Sequence, residues 1–284
     1  MKKVQNYFRE TDKLIPKGFF NTTRLTLARY GFLGGLARYL MMQDELRKFV
    51  QRACSKDEKI FRRELIKKFS LIQKKISCAH SPYQFVLMAE YILNLKADGP
   101  IVQCGCYKGG STAKLSLLAK KTHRHLYVCD SFKGLPIPKS KEELFLEGHG
   151  DSPNYAFSVG EYQGSLHEVQ ENVRRYGCVE NCIFIHGLFN ESLAKLDIKP
   201  AFVFIDVDFI SSALDCLRHL WPKLVFYGYW FIHEAIFPRY IAGILDALWW
   251  HETLGEPPPV IIGGGSGLSP IAEGIAYFQK KPIK

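Results

Sequence analysis

The chain has 284 residues, of which 47% are hydrophobic and 23% are charged. This composition is typical of a globular protein and excludes a largely disordered one. No apolar run approaches the roughly 18 residues of a membrane-spanning helix, and no apolar signal segment follows Met1-Lys2-Lys3. The eight cysteines form neither a disulfide framework nor a paired zinc motif. We therefore expect a cytoplasmic protein with free thiols.

The net charge of +10 is concentrated at the N-terminus. Residues 1–80 hold 19 basic and 7 acidic side chains, whereas residues 81–284 hold 19 basic and 21 acidic ones. Such an asymmetry indicates two parts with different roles. We expect a basic helical extension over residues 1–80, which caps the site or mediates oligomerisation, and a folded domain over residues 81–284.

Hydrophobic periodicity predicts a helical extension followed by alternating strands and helices. In and after the extension, helices are predicted at 21–31, 37–53, 56–76 and 82–95. The helix at 56–76 is amphipathic, and we place Arg62 on its basic, solvent-facing side. Strands are predicted at 100–104, 125–129, 182–186, 201–205, within 224–232, at 260–262 and at 274–279. The helices between them are predicted at 111–121, 165–177, 211–220 and 236–254.

This alternation predicts a mostly parallel sheet with helices on both faces. Ligands bind such sheets beyond the carboxyl ends of the strands, so the residues that end each strand are the candidates for a site. The segment 131–164 is too long for a plain connection and is expected to form a lid. It carries His149 between two glycines, which is a candidate active-site residue.

Two of the strand ends predict a nucleoside site. After the first strand, Gly105, Gly109 and Gly110 allow the backbone to turn sharply and approach a ligand. The spacing is neither GxGxxG nor a Walker A loop, which argues against a pyrophosphate dinucleotide. Asp130 ends the second strand, where a carboxylate can accept hydrogen bonds from both hydroxyls of a ribose. A turn cap is the alternative role for Asp130.

A third strand end carries two carboxylates. Asp206 and Asp208 follow an apolar strand and are two residues apart, so both point toward the same side of the sheet edge. Such a pair can hold a hard cation or act as a base. Alternatively, one of them caps the helix that follows.

Four segments in this order resemble the macrocin O-methyltransferase family of S-adenosylmethionine (SAM) dependent enzymes. They are VQCGCYKGGS at 102–111, VCDSFKGLP at 128–136, HGLFNESL at 186–193 and FIDVDFISS at 204–212. The resemblance spans about residues 80–280. It implies an α/β, Rossmann-like class I methyltransferase fold, with a mostly parallel seven-stranded sheet whose last strand is antiparallel. It also implies methyl transfer from SAM to a hydroxyl of a sugar or another small natural product, and a divalent metal.

The resemblance assigns a cofactor site to the glycine-rich turn and to the ends of the next two strands. The methionine end of SAM is expected at the turn, at Gln103, Gly105, Cys106, Tyr107, Gly109, Gly110 and Ser111. The adenosine end is expected at Asp130, Ser131, Phe132, Gly187 and Leu188. Asp206 matches the catalytic or metal-binding aspartate of the family.

Two positions depart from the family pattern. Gln103 replaces a glutamate, although its amide can still accept a hydrogen bond. His233-Glu234 replaces a pair of aspartates that completes the metal site. Asp206, His233 and Glu234 could hold magnesium or, because imidazole favours it, a transition metal. Alternatively, His233 is a metal-free general base, or the site has been retired or repurposed.

The sequence therefore predicts an O-methyltransferase with Asp206, His233 and His149 as catalytic residues and a small hydroxylated molecule as acceptor. A homodimer is expected. The alternative is an altered methyltransferase-fold protein that binds nucleic acid or a membrane surface through its basic helices. A solvated helix face is the commoner reason for such charges, so neither partner is expected.

Overall fold

The computed structural model describes residues 37, 39–139, 157–265, 267–269 and 272–282. The helix predicted at 21–31 and the candidate residue His149 lie outside this part of the chain. Within it, no helix combines the length and the apolar character needed to cross a bilayer.

A six-stranded sheet with the order β3-β2-β1-β4-β5-β6 forms the centre of the described part. Its strands are β1 Ile101–Cys104, β2 Leu126–Asp130, β3 Cys182–His186, β4 Phe202–Ile205, β5 Tyr229–Ile232 and β6 Ala276–Gln279. All pairs are parallel except β5 with β6. The Rossmann-like fold with an antiparallel last strand is thus confirmed, and the reversal of strand order between β1 and β4 marks where a ligand is expected.

Two predicted elements differ from the structure. The strand expected at 260–262 is reduced to a single bridge between Ile262 and Tyr277, so the described sheet has six strands where seven were expected. A full strand is disfavoured here because the three prolines at 257–259 lack the backbone N–H that donates hydrogen bonds to a neighbouring strand. The glycines at 263–265 weaken the strand further on its other side. The helix expected at 236–254 is two helices, because the side chain of Asp246 accepts a hydrogen bond from the Trp249 N–H and caps a new start.

Helices cover both faces of the sheet. They are α1 (39–51), α2 Lys56–Lys75, α3 Pro82–Leu93, α4 Gly110–Lys121, α5 Leu166–Tyr176, α6 Phe189–Ser192, α7 Ile210–Leu220, α8 Pro238–Ile244 and α9 Ala247–Leu254. Alternate residues of a strand face opposite cores: Phe202 and Phe204 pack with α2 to α5, whereas Val203 and Ile205 pack with α7 to α9. The core on the first face thus includes the apolar side of α2, which packs against α3 and α4. The division at residue 80 stays a prediction.

The basic face predicted for α2 is exposed, with one exception. Arg62 is only 1% exposed, and its guanidinium binds Glu58 Oε1, Glu90 Oε2 and the carbonyl oxygen of Phe49, each at 2.7 Å. These partners lie on α1, α2 and α3. Arg62 therefore joins the extension to the domain, and its placement on the solvated face was wrong because spacing alone did not show these three acceptors.

We expect Arg62→Ala to lower the free energy of unfolding by about 3 kcal/mol, because two carboxylates and a carbonyl lose their shared donor. Urea denaturation followed by circular dichroism measures this change. Lys67→Ala is the matched control, since its ion pair with Glu64 lies at the surface of the same helix and should contribute less than about 1 kcal/mol. Equal effects of the two substitutions would contradict the assignment.

Candidate active site

The backbone of the glycine-rich turn after β1 packs closely against the residue that follows β4. Gly105 has a φ of +84°, and a Cβ at this position would lie 2.0 Å from the carbonyl oxygen of Asp206. Only glycine adopts this conformation and tolerates this approach without strain. The turn therefore brings the backbone of β1 beside Asp206, and any side chain at position 105 would separate the two strand ends.

The carboxylate of Asp130 holds two loops together. Its Oδ2 accepts a hydrogen bond from the Cys106 N–H and its Oδ1 accepts one from the Phe132 N–H, both at 2.7 Å. Burial raises the pKa of Asp130 despite these two donors. Each oxygen keeps a second lone pair, so the carboxylate can still accept hydrogen bonds from two hydroxyls of a ligand.

A cavity of about 230 Å³ lies at the carboxyl edge of the sheet. Its lining includes predicted cofactor residues, which are Gly105, Cys106, Tyr107, Asp130, Ser131, Gly187 and Leu188. It also includes the acidic and imidazole groups Asp206, Asp208, His233 and Glu234. The structure thus brings the two predicted halves of the site to one cavity.

Five predicted cofactor residues do not line this cavity: Gln103, Gly109, Gly110, Ser111 and Phe132. Gly109 and Gly110 have packing roles, because an added Cβ would meet a side-chain carbon of Val169 at 3.1 Å or of Cys78 at 2.8 Å, respectively. The rings of Phe184 and His186 contact that of Phe132.

Gln103 is fully buried beneath the turn. Its amide nitrogen donates to Ser111 Oγ at 2.7 Å and to the Gly105 carbonyl at 2.9 Å. Its Oε1 is buried and has no hydrogen-bond partner among the described residues. A buried acceptor without a donor is costly, and the ammonium of a bound methionine group is a donor of the kind it lacks. Of the two acceptors, the Asp130 carboxylate lines the cavity and fits the ribose of SAM.

Asp206 lies between two imidazoles. Its Oδ2 is 3.1 Å from His80 Nε2 and its Oδ1 is 3.2 Å from His233 Nδ1. The two rings contact each other edge to face, with their centroids 4.2 Å apart. His233 Nδ1 is also 2.7 Å from Glu234 Oε1. The cluster thus joins the end of β4, the end of β5 and the segment that precedes α3.

The charges of this cluster stabilise one another. Burial alone would raise the pKa of Asp206, but His80 and His233 hold it well below its usual range. Burial alone would lower the pKa of each histidine. The charges of Glu234 and Asp206 nevertheless raise the pKa of His233 well above its usual value, and Asp206 raises that of His80. Asp206 and each of the two imidazoles therefore favour one another's charged forms.

Asp208 and Glu234 are two further carboxyl groups that line the cavity beside this cluster. Burial raises the pKa of Asp208 well above its usual value, and the charges of Glu234 and Asp206 raise it further. Glu234 is itself buried. The repulsion between these carboxyl groups would be relieved by a bound cation.

The donor atoms fit a divalent metal. One ring nitrogen each from His80 and His233 and one oxygen of Asp206 lie within 4.8 Å of one another. Two histidines and one carboxylate are a common ligand set for divalent transition metals. Glu234, which the sequence predicted as a ligand, is not among these converging donors, and its Oε1 lies 2.7 Å from His233 Nδ1.

Sequence reasoning missed His80. Its neighbours include Cys78, whose Sγ is 3.4 Å from His80 Nδ1 and 3.5 Å from the buried Lys114 Nζ. Burial alone would raise the pKa of the Cys78 thiol, but Lys114 and His80 lower it to about 6. His80 and Asp206 are far apart in sequence, so no local spacing links them. The one available signal was the position of His80 directly before the Ser81 cap of α3, which packs over the sheet.

Comparisons with known proteins identify the family. The macrocin-O-methyltransferase (TylF) family matches residues 83–243, which is more than half of the chain. Among curated protein sequences, no significant match was found.

Solved structures agree on the fold. The O-methyltransferase NovP has a TM-score of 0.56 and 20% sequence identity, with 72% of this chain and 84% of NovP covered. The calicheamicin methyltransferase CalS11 has a TM-score of 0.52 and 14% identity, with 84% of this chain and 91% of CalS11 covered. At these identities the structures show a shared fold. With the family match, they lead to one conclusion: the chain belongs to the macrocin O-methyltransferase family and is a SAM-dependent O-methyltransferase.

Proposed function

We propose that the chain transfers the methyl group of SAM to a hydroxyl of a sugar or another small natural product, and that Asp206 and His233 activate this hydroxyl. The observation that carries the proposal is the shared cavity, which is lined both by Gly105, Asp130 and Gly187 and by Asp206 and His233. The two groups of residues come from different strand ends. A cofactor held by the first group would present its methyl to an acceptor held at the second.

The cofactor half is proposed to use Asp130 for the ribose hydroxyls and the Gly105 turn for the methionine end. The Asp130 carboxylate is held rigidly by its two backbone donors, so it is preorganised for a ligand. Gly187 follows β3 and lines the cavity, with a φ of +146° that residues with side chains rarely adopt. Gln103, which is buried beneath the Gly105 turn and does not line the cavity, is proposed to support the turn from below.

The acceptor half must orient a hydroxyl and remove its proton. SAM supplies an electrophilic methyl group, so the protein has to hold the acceptor oxygen in line with the breaking C–S bond. A sugar hydroxyl is a poor nucleophile at neutral pH and needs a base or a metal near its proton. Asp206 and His233 are proposed to provide this activation. A metal held by these residues would lower the pKa of the bound hydroxyl.

The acceptor class rests on the family and on its neighbours. The family is named for the O-methylation of macrocin, and CalS11 is a calicheamicin methyltransferase. Both names support a hydroxyl of a natural product as the acceptor. Asp208, Asp215 and Ser212 line the cavity and offer hydrogen-bond partners to a hydroxylated acceptor. His149 stays a candidate catalytic residue, and a homodimer stays the expected assembly.

Asp130→Ala is expected to raise the dissociation constant of S-adenosylhomocysteine at least about tenfold. The variant removes the ribose acceptor and the link between the two loops, and loss of a charged hydrogen bond costs about 1.5–3 kcal/mol. Isothermal titration calorimetry measures the effect. Asp197→Ala is the control, because this exposed carboxylate lies away from the cavity. Unchanged affinity in Asp130→Ala would contradict the cofactor assignment.

Asp206→Asn and His233→Gln are each expected to lower kcat by about 10²–10⁴-fold, since hydroxyl activation is worth that much. Neither should change the affinity for S-adenosylhomocysteine more than about threefold. The assay follows release of S-adenosylhomocysteine with a panel of glycosides and nucleotide sugars as acceptors. His251→Gln, on the exposed side of α9, is the control. Near-normal turnover of both cavity variants would refute the proposed activation.

A further inference from the structure

We propose that His80, together with Asp206 and His233, binds a divalent transition-metal ion of the cobalt-to-zinc group, and that His80 is the ligand that selects it over magnesium. The proposal deepens the proposed function and rests on the role given there to Asp206 and His233. His80 lies before residue 83, where the family match begins. The selecting ligand therefore comes from outside the segment that defines the family.

The first argument is a buried nitrogen that lacks a hydrogen-bond partner. The side chain of His80 is 3% exposed, and its Nε2 has no hydrogen bond of acceptable geometry within the described residues. Asp206 Oδ2 lies 3.1 Å away as an ion-pair partner but is not aligned for a hydrogen bond. A buried ring nitrogen that meets a carboxylate without an aligned hydrogen bond is incompletely satisfied. A metal ion bound by both atoms would satisfy them together.

The second argument is the orientation of the His80 ring. On its other edge, Nδ1 lies 3.4 Å from Cys78 Sγ, which Lys114 Nζ contacts at 3.5 Å. When Nδ1 donates to this sulfur, the lone pair of the neutral ring is at Nε2, the atom that faces Asp206. Metal-bound histidines typically donate their second ring nitrogen to such a partner.

The ring is also fixed by packing. Phe85 and Phe204 contact it edge to face, with centroid distances of 5.4 and 5.7 Å. Both phenylalanines are fully buried, so His80 cannot turn away without opening the core. Packing therefore holds His80 Nε2 at the cluster before a metal binds, so little conformational entropy of this side chain is lost on binding.

The third argument is the chemistry of the donors. Magnesium prefers oxygen ligands and keeps several waters, whereas imidazole suits zinc, nickel, copper and iron. Here two imidazoles and one carboxylate converge within 4.8 Å. Glu234, next to His233, adds a negative charge and a hydrogen bond to that ring. The set thus favours a transition metal, and His80 contributes one of its two imidazoles.

The test is calorimetric titration of the full chain with Co²⁺ and, separately, with Mg²⁺. The protein is first stripped of metal with a chelator, the chelator is removed, and neither cofactor nor acceptor is present. The wild type should bind one Co²⁺ at least about tenfold more tightly than Mg²⁺. His80→Ala should weaken Co²⁺ binding at least about tenfold and change Mg²⁺ binding by less than about threefold. His251→Ala should match the wild type.

The proposal is overturned if His80→Ala binds Co²⁺ within about twofold of the wild type, or if the wild type binds Mg²⁺ as tightly as Co²⁺. Binding of S-adenosylhomocysteine by the same samples separates this result from the proposed function. Loss of cofactor binding with intact Co²⁺ binding would refute the methyl-transfer site and leave the metal site standing. Intact cofactor binding with no Co²⁺ binding would refute the metal site and leave the proposed methyl-transfer site standing.

A measurement on the wild type covers the case in which His80→Ala does not fold. Pulsed electron paramagnetic resonance of the chain loaded with one equivalent of Cu²⁺ detects the remote nitrogens of coordinated imidazoles. Two coordinated imidazoles are expected. One imidazole or none would overturn the proposal.

Discussion

The carboxylate of Asp206 is mostly buried at the edge of the sheet, where an uncompensated charge would be very costly. Two imidazoles compensate it, and they come from distant parts of the chain. The position of the carboxylate is fixed in turn by Gly105, whose lack of a side chain lets the first strand end meet the fourth. The Gly105 turn, the end of β4 and the N-terminal segment with His80 therefore meet at Asp206. The chemistry proposed for the cavity depends on this carboxylate.

This arrangement changes the significance of the N-terminal part of the chain. The basic side chains of α1 and α2, apart from Arg62, are exposed, whereas buried apolar residues of these two helices pack into the core of the domain. Arg62 fastens α2 to α1 and α3, and the apolar side of α2 completes one core of the sheet. After α2, the chain places His80 within 3.1 Å of Asp206. The segment before the family match thus contributes both to stability and to the candidate site.

Much of the fold could be predicted from the sequence because its signals are local. Ser81 caps α3 through a reciprocal hydrogen bond with Gln84, as the residue types indicate, and the apolar runs mark the central strands. What escaped prediction depends on contacts between residues far apart in sequence. The pairing of His80 with Asp206 has no periodic or spaced pattern, and Arg62 looks like a surface residue until its three acceptors are known. Asp246 divides a helix by capping, which competes with an otherwise continuous apolar pattern.

A crystal structure of the full chain with S-adenosylhomocysteine tests the central claim most directly. The claim is that one cavity holds the cofactor against Asp130 and directs its sulfur toward Asp206 and His233. The account predicts that both ribose hydroxyls lie within hydrogen-bond distance of the Asp130 carboxylate, with the sulfur facing the imidazole–carboxylate cluster. A cofactor bound away from Asp130, or with its sulfur directed away from Asp206, would contradict it.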